Sequence, residues 1–266
     1  MSEPRHAIQT LQLSRSFNGR PALDGLTLEV PAGSFFGFLG PNGAGKSTTI
    51  NILTGLLAPS SGSATVLGHD VTSQSLELKR RIGVVPDGLH LFERLSGEEH
   101  LRFVGEVHQL SPAEARRRAG QLLEAMDLTA DGHKLVASYS HGMRKKLALA
   151  CALIHEPQLL FLDEPFEGVD AIATRELRDL LQRLVAGGRV TVFLTSHVLE
   201  VVERLCTHVG IIAQGRLAAC GTLEELRRGA DGRERSLEDL FLDTVGAGRD
   251  DASAGLDWLT RGDSPR

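Results

Sequence analysis

Residues Gly40-Pro41-Asn42-Gly43-Ala44-Gly45-Lys46-Ser47-Thr48 follow the almost wholly apolar run 34–39 and precede a short segment that Gly55 closes. An apolar run without polar alternation reads as a strand covered on both faces, and the segment beyond the loop as a helix. The loop between them has the spacing G-x-x-x-x-G-K-S. Its glycines let the main chain wrap closely round phosphate oxygens, and the helix start adds partial positive charge. Lys46 is expected to reach the β- and γ-phosphates of a nucleoside triphosphate, with the Ser47 hydroxyl on Mg²⁺.

A phosphate loop alone admits kinases, GTPases and many motors, so a second stretch has to narrow the choice. Leu159-Leu160-Phe161-Leu162-Asp163-Glu164-Pro165 is an apolar strand that ends in two carboxylates. Asp163 suits the Mg²⁺ shell, and Glu164 suits the polarisation of an attacking water at the γ-phosphate. Two adjacent acids at a dry strand end are costly unless a cation or substrate uses them. A third apolar run, 190–194, leads into Thr195-Ser196-His197.

Other parts of the chain follow different periods. Leu26, Leu28 and Val30, and again 64–67, alternate with polar residues, as half-buried antiparallel strands do. From 87 to 151 helix starts dominate: Ser96 with Glu99 and Ser111 with Pro112 and Glu114 both match capping boxes, as Thr222 with Glu225 does later. Asp170 suits an N-cap before the stripe Leu177, Leu180, Leu181 and Leu184, which Gly187 ends. The fold expected is α/β: a P-loop NTPase core with a parallel sheet, an N-terminal antiparallel β subdomain and an inserted α-helical subdomain. Its bounds are 5–86 and 155–222 for the core, 87–154 for the helical insert, 223–245 for a C-terminal helical extension and 246–266 for a polar disordered tail containing Trp258.

Bulk properties exclude several classes. At 266 residues with a net charge of −5, the chain has no basic excess to neutralise a nucleic-acid backbone, and no nucleic-acid partner is expected. Cys151, Cys206 and Cys220 have no metal or disulfide spacing and read as small buried hydrophobes in a reducing compartment. No apolar h-region opens the chain, and no apolar stretch approaches the roughly 20 residues that cross a bilayer. A cytoplasmic protein is expected, with any membrane role exercised through a partner.

Taken together, these motifs resemble the ATP-binding-cassette (ABC) ATPases over 8–242, nearly the whole ordered chain. Tyr139-Ser140-His141-Gly142-Met143 stands where that family has its signature motif, and Ser140 is a suitable N-cap for the helix that follows. Arg144, Lys145 and Lys146 crowd the first turns of that helix, where positive charge opposes the macrodipole. The resemblance resolves this with an ATP γ-phosphate held by the other member of a head-to-tail dimer, contacted in trans by Ser140, His141, Gly142 and Met143. It further implies that Phe17 stacks on adenine, that Gly40 to Thr48 in the phosphate loop bind ATP, and that Glu164 and His197 are catalytic. Asp170 falls in the D-loop at the dimer interface, and Ser47, Asp163 and Asp87 fall at the metal.

Two positions depart from the family pattern. Asp87 replaces the usual Q-loop glutamine, and His141 replaces a glycine, where its protonation near ATP would make activity pH-sensitive. The spellings around the motifs, with Ser236-Leu237-Glu238-Asp239-Leu240-Phe241, look most like cassettes of bacterial drug and lipid exporters. The implied function is that of an ATP- and Mg²⁺-dependent subunit, as homodimer or heterodimer. It would sit on the inner face of the cell membrane and drive export through a separate integral permease. The rival reading is a soluble ABC ATPase acting on ribosomes or nucleic acid. Such members usually carry two cassettes or a long coiled insertion, and this sequence shows one cassette and a short insert.

Overall fold

The computed structural model describes residues 6–188, 190–228 and 235–246. In chain order the elements are β1 (His6–Phe17), β2 (Arg20–Pro31), β3 (Phe35–Leu39), α1 (Lys46–Leu53), β4 (Ser61–Val66), β5 (His69–Asp70), α2 (Ser75–Lys79), β6 (Ile82–Val85), α3 (Gly97–Val107) and α4 (Pro112–Ala125). There follow α5 (His141–Leu153), β7 (Leu159–Asp163), α6 (Ala171–Ala186), β8 (Thr191–Ser196), α7 (Leu199–Leu205), β9 (His208–Ala213), β10 (Arg216–Thr222), α8 (Leu223–Arg227) and α9 (Leu237–Gly246).

The alternating N-terminal segments form one antiparallel sheet, ordered β2-β1-β4-β5. The apolar runs form a second sheet, ordered β10-β9-β3-β8-β7-β6, in which every neighbouring pair is parallel except β9 with β10. The phosphate-loop strand β3 is therefore central. Its partners come from far along the chain: Phe35 lies opposite Val192, and its main chain bonds Thr207, 172 residues away.

Because successive strand residues point to opposite faces, each apolar strand feeds two cores. On one face Phe36, Phe38, Phe161 and Phe193 pack against Leu13, Leu23, Leu26 and Leu28 of the antiparallel sheet. There the Phe36 and Phe193 rings stack 5.5 Å apart. Fully burying an aromatic of this kind contributes roughly 1.5–3 kcal/mol. On the other face Phe35, Leu160, Leu162, Val192 and Leu194 meet Leu147 and Ala150 of α5, Leu177 and Leu181 of α6, and Val202 of α7.

Helix starts follow the sequence with one exception. Ser96 with Glu99 and Thr222 with Glu225 form reciprocal capping boxes. Ser111 closes only its own half, accepting from the Glu114 N–H at 3.3 Å. The Glu114 carboxylate turns instead to Arg117 and Arg118, each of which reaches it at 2.6 Å, because charge-assisted bonds outcompete a neutral amide. Cys220 is a second correction: it lies exposed on β10, whose position at the sheet edge leaves alternate residues outside the core. Among the described residues, 87–154 holds helices and no strand longer than an isolated bridge. The C-terminal α9 is docked through buried Leu237, whose N–H donates to Glu203 of α7 at 2.9 Å. The expected tail, apart from Gly246, and Trp258 lie outside the described residues.

Candidate functional site

Gly45 starts α1 with φ +111, and no side chain caps the helix. An added Cβ there would stand 2.6 Å from the Ala22 carbonyl oxygen, so both the backbone conformation and the space demand glycine. Gly40 is equally confined, since its Cβ would lie 2.4 Å from the Ile212 carbonyl oxygen. The uncapped first turn leaves backbone N–H groups available to an anion. Lys46 is buried, and its ammonium donates to the Gly40 carbonyl at 2.7 Å and the Pro41 carbonyl at 3.4 Å.

Opposite the loop, β7 delivers two acids. Asp163 is buried and accepts a bond from the Thr195 hydroxyl at 2.6 Å; that hydroxyl in turn accepts from the Glu164 N–H at 3.1 Å. Glu164 has φ +48, a left-handed conformation uncommon outside glycine. Its carboxylate accepts from the His197 N–H at 3.3 Å and pairs with His197 Nδ1 at 3.0 Å. This pairing occupies Nδ1 and leaves Nε2 for another partner.

These groups line one open cleft of about 640 Å³, walled by the phosphate loop, Asp87, Asp163, Glu164, Glu167, His197 and Phe241. Ser47, Asp87 and Asp163 all line this cleft and carry oxygen donors, the kind that Mg²⁺ prefers. Among the described residues no three His, Cys, Asp or Glu side chains form a ready-made cage. In donor type the residues fit Mg²⁺.

Not every expected residue enters the cleft. Ala44 turns its side chain into the core and is 3% exposed. Phe17 is not among the lining residues; it is 44% exposed, with the Arg15 guanidinium 4.8 Å from its ring centre. Ser140, His141, Gly142 and Met143 begin α5 outside the cleft of their own chain. There Ser140 accepts from the Met143 N–H at 3.2 Å, and His141 Nε2 lies 3.2 Å from the Glu167 carbonyl. Asp170 caps α6 through bonds from Ala173 and Ile172, which hold its carboxyl below the usual range.

The basic run after the signature also has partners within the chain. Arg144 pairs with Glu93 at 2.9 Å, Lys146 pairs with Glu176 at 2.6 Å, and Lys145 donates to the Glu164 carbonyl at 2.7 Å. Arg144 and Lys146 thus meet carboxylates on elements that folding brings alongside, while Lys145 meets a main-chain oxygen. Burial pulls the Lys145 ammonium below the ordinary lysine range, while Asp87, Glu167, Glu164 and Asp163 pull it upward. The motifs contain Thr195, Lys145, Glu167 and Phe241 without giving any of them a place at the site. The doubled lysine in an otherwise amphipathic helix was the one visible hint.

Comparison with known proteins places this geometry. The ABC transporter family profile matches residues 23–167, and a second profile, described as an AAA domain, matches 135–203. The daunorubicin/doxorubicin resistance ATP-binding protein DrrA of Streptomyces peucetius is 42% identical over 226 residues, covering 85% of this chain and 68% of that protein. The linearmycin resistance ATP-binding protein LnrL of Bacillus subtilis is 36% identical, covering 84% and 72%. A solved ATP binding subunit of an ABC transporter superposes with a TM-score of 0.83 at 33% identity, over 90% of this chain and 99% of that one. The chain belongs to the ABC transporter family, as an ATP-binding cassette.

Proposed function

We propose that this cassette hydrolyses Mg·ATP to drive export through a separate integral membrane protein, with two cassettes closing head to tail on two nucleotides. The observation that carries the reading is the joint presence, on one cleft, of Lys46, Asp163 and a Glu164 carboxylate held by His197 at 3.0 Å.

Lys46 leaves the carbonyls of Gly40 and Pro41 for the β- and γ-phosphate oxygens, and the first N–H groups of α1 surround the same phosphates. Glu164 polarises the water that attacks the γ-phosphorus, and His197 keeps that carboxylate aimed while turning Nε2 to the γ-phosphate. Ser47 and Asp163, with Asp87 at the cleft wall, would hold Mg²⁺, which when bound neutralises charge on the phosphate oxygens. Ser140 to Met143, remote from their own cleft, complete the site of the opposing cassette. Asp170 and exposed Ile172 lie at the junction. Phe17 reaches adenine as the two halves close.

No described helix is long and apolar enough to cross a membrane, and in this proposal the permeation path belongs to a separate membrane protein. The drug-resistance relatives favour export, and peripheral attachment at the inner membrane face follows. The test is purification of a tagged Glu164→Gln chain from gently solubilised native membranes in the presence of ATP. Co-purification of a polytopic membrane protein supports the reading. Recovery of soluble partners alone, or an undiminished ATPase rate in the variant, overturns it.

A further inference from the structure

A lysine shut away from water is costly, because each buried ion loses several kcal/mol of hydration that its surroundings must replace. Lys145 is 3% exposed. Its neighbours in sequence make ordinary ion pairs with carboxylates that stay largely exposed, Arg144 with Glu93 and Lys146 with Glu176. Lys145 does neither. Its ammonium goes inward to a main-chain oxygen, that of Glu164, at 2.7 Å.

Glu164 is the residue whose backbone most needs holding. A non-glycine residue in the left-handed region costs on the order of 1–3 kcal/mol and persists only where surrounding bonds over-determine it. Three groups do so: the Thr195 hydroxyl accepts the Glu164 N–H at 3.1 Å, His197 holds the carboxylate at 3.0 Å, and Lys145 holds the carbonyl at 2.7 Å. Thr195 lies on β8 and His197 directly after it, beside the strand that carries Glu164. Among these three, Lys145 alone comes from the helical insert, five residues after the Ser140 cap. The bond from His141 to the Glu167 carbonyl at 3.2 Å runs parallel to it, between the same helix start and the same loop.

We propose that Lys145 is a positioning residue for ATP hydrolysis, fixing the main chain of Glu164 so that its carboxylate faces the cleft and tying that carboxylate to the start of α5. This rests on the function proposed above, in which the start of α5 abuts the nucleotide of the opposing cassette. A shift of α5 on that nucleotide then reaches Glu164 through one hydrogen bond, so each site senses whether the other is filled.

The test is steady-state ATP hydrolysis by the full-length chain, comparing wild type with Lys145→Met, Lys145→Arg and Glu164→Gln. Equilibrium binding of a fluorescent ATP analogue and thermal unfolding are measured on the same preparations. Lys145→Met keeps the length of the side chain and removes donor and charge. The expected result is a fall in kcat of about tenfold to a hundredfold, with KM and analogue binding within about twofold, and recovery of most of the rate in Lys145→Arg. A folded Lys145→Met chain with kcat within about twofold of wild type overturns the proposal, as does a parallel loss of rate and nucleotide affinity without rescue by arginine. If Lys145→Met is not recovered folded, Lys145→Gln is judged by the same criteria. Glu164→Gln separates the two levels of the argument: full activity in that variant defeats the proposed function itself. Its inactivity beside an unimpaired Lys145→Met removes only the role of Lys145.

Discussion

Two helix starts in this molecule carry nearly the same local chemistry and put it to opposite uses. At α1 and at α5 the first turn lacks an acidic residue, and a nearby lysine donates to a main-chain carbonyl at 2.7 Å. At α1 the cap is Gly45, which offers no side-chain acceptor, and Lys46 lines the open cleft. At α5 the cap is Ser140, which already satisfies one orphan amide, and Lys145 is enclosed among core residues. Helix polarity is the same in both. What differs is access: Lys46 lines an open cleft, where under the proposed function a phosphate can replace its carbonyl partner, and Lys145 does not.

The sharpest way to probe this contrast is at Glu164, where the two regions meet. Glu164→Gln should lower ATP turnover by about 10³-fold while ATP still binds, measured by phosphate release beside nucleotide affinity. Comparable losses in both quantities would mean that the carboxylate serves binding and not water activation. Next in size, Lys46→Met should weaken ATP binding by about tenfold to a hundredfold, as expected for losing charge-assisted bonds to phosphate. Unchanged affinity would erase the distinction between the two lysines.

A smaller effect is expected from the cap itself. Gly45→Ala meets both a φ of +111 and the Ala22 oxygen 2.6 Å away, and should cost about 1–3 kcal/mol of stability, read by denaturant unfolding. An unaltered unfolding midpoint would show that the loop relaxes freely. Least of all, Ser140→Ala should cost about 1 kcal/mol, near 2–4 °C in Tm, without altering ATP binding by an isolated chain. A fall in single-chain affinity would place the signature in its own site and break the comparison outright.

Much of this arrangement is legible in the sequence because its chemistry is written in contiguous residues. The phosphate loop, the acid pair 163–164 and His197 each end an apolar strand, and strand ends of a parallel sheet converge on one edge. The two-sheet architecture follows from the change between alternating and continuous apolar runs, as Leu26, Leu28 and Val30 differ from Phe35 to Leu39. What the sequence conceals is pairing between elements. Arg144 to Lys146 look like a basic cluster awaiting an anion until Glu93 and Glu176 arrive as carboxylates and Glu164 as a main-chain carbonyl, from three separate segments. Glu114 deserts its capping box for Arg118 one turn later, a competition between neighbours that spacing alone does not rank. Phe241 joins the cleft wall only because α9 docks through Leu237 and Glu203.

The central place of β3 also sets a timetable for synthesis. Phe35 lies opposite Val192 on one side and bonds Thr207, 172 residues downstream, on the other, so the phosphate loop hangs from a strand without neighbours while the residues up to β8 and β9 are still being made. At a translation rate of about 5–20 residues per second, those residues take roughly 10–30 s to follow. For that interval Phe35, Phe36 and Phe38 form an apolar strand with open edges at the ribosome. The phosphate loop therefore finds its final support only once β8 and β9 have been made.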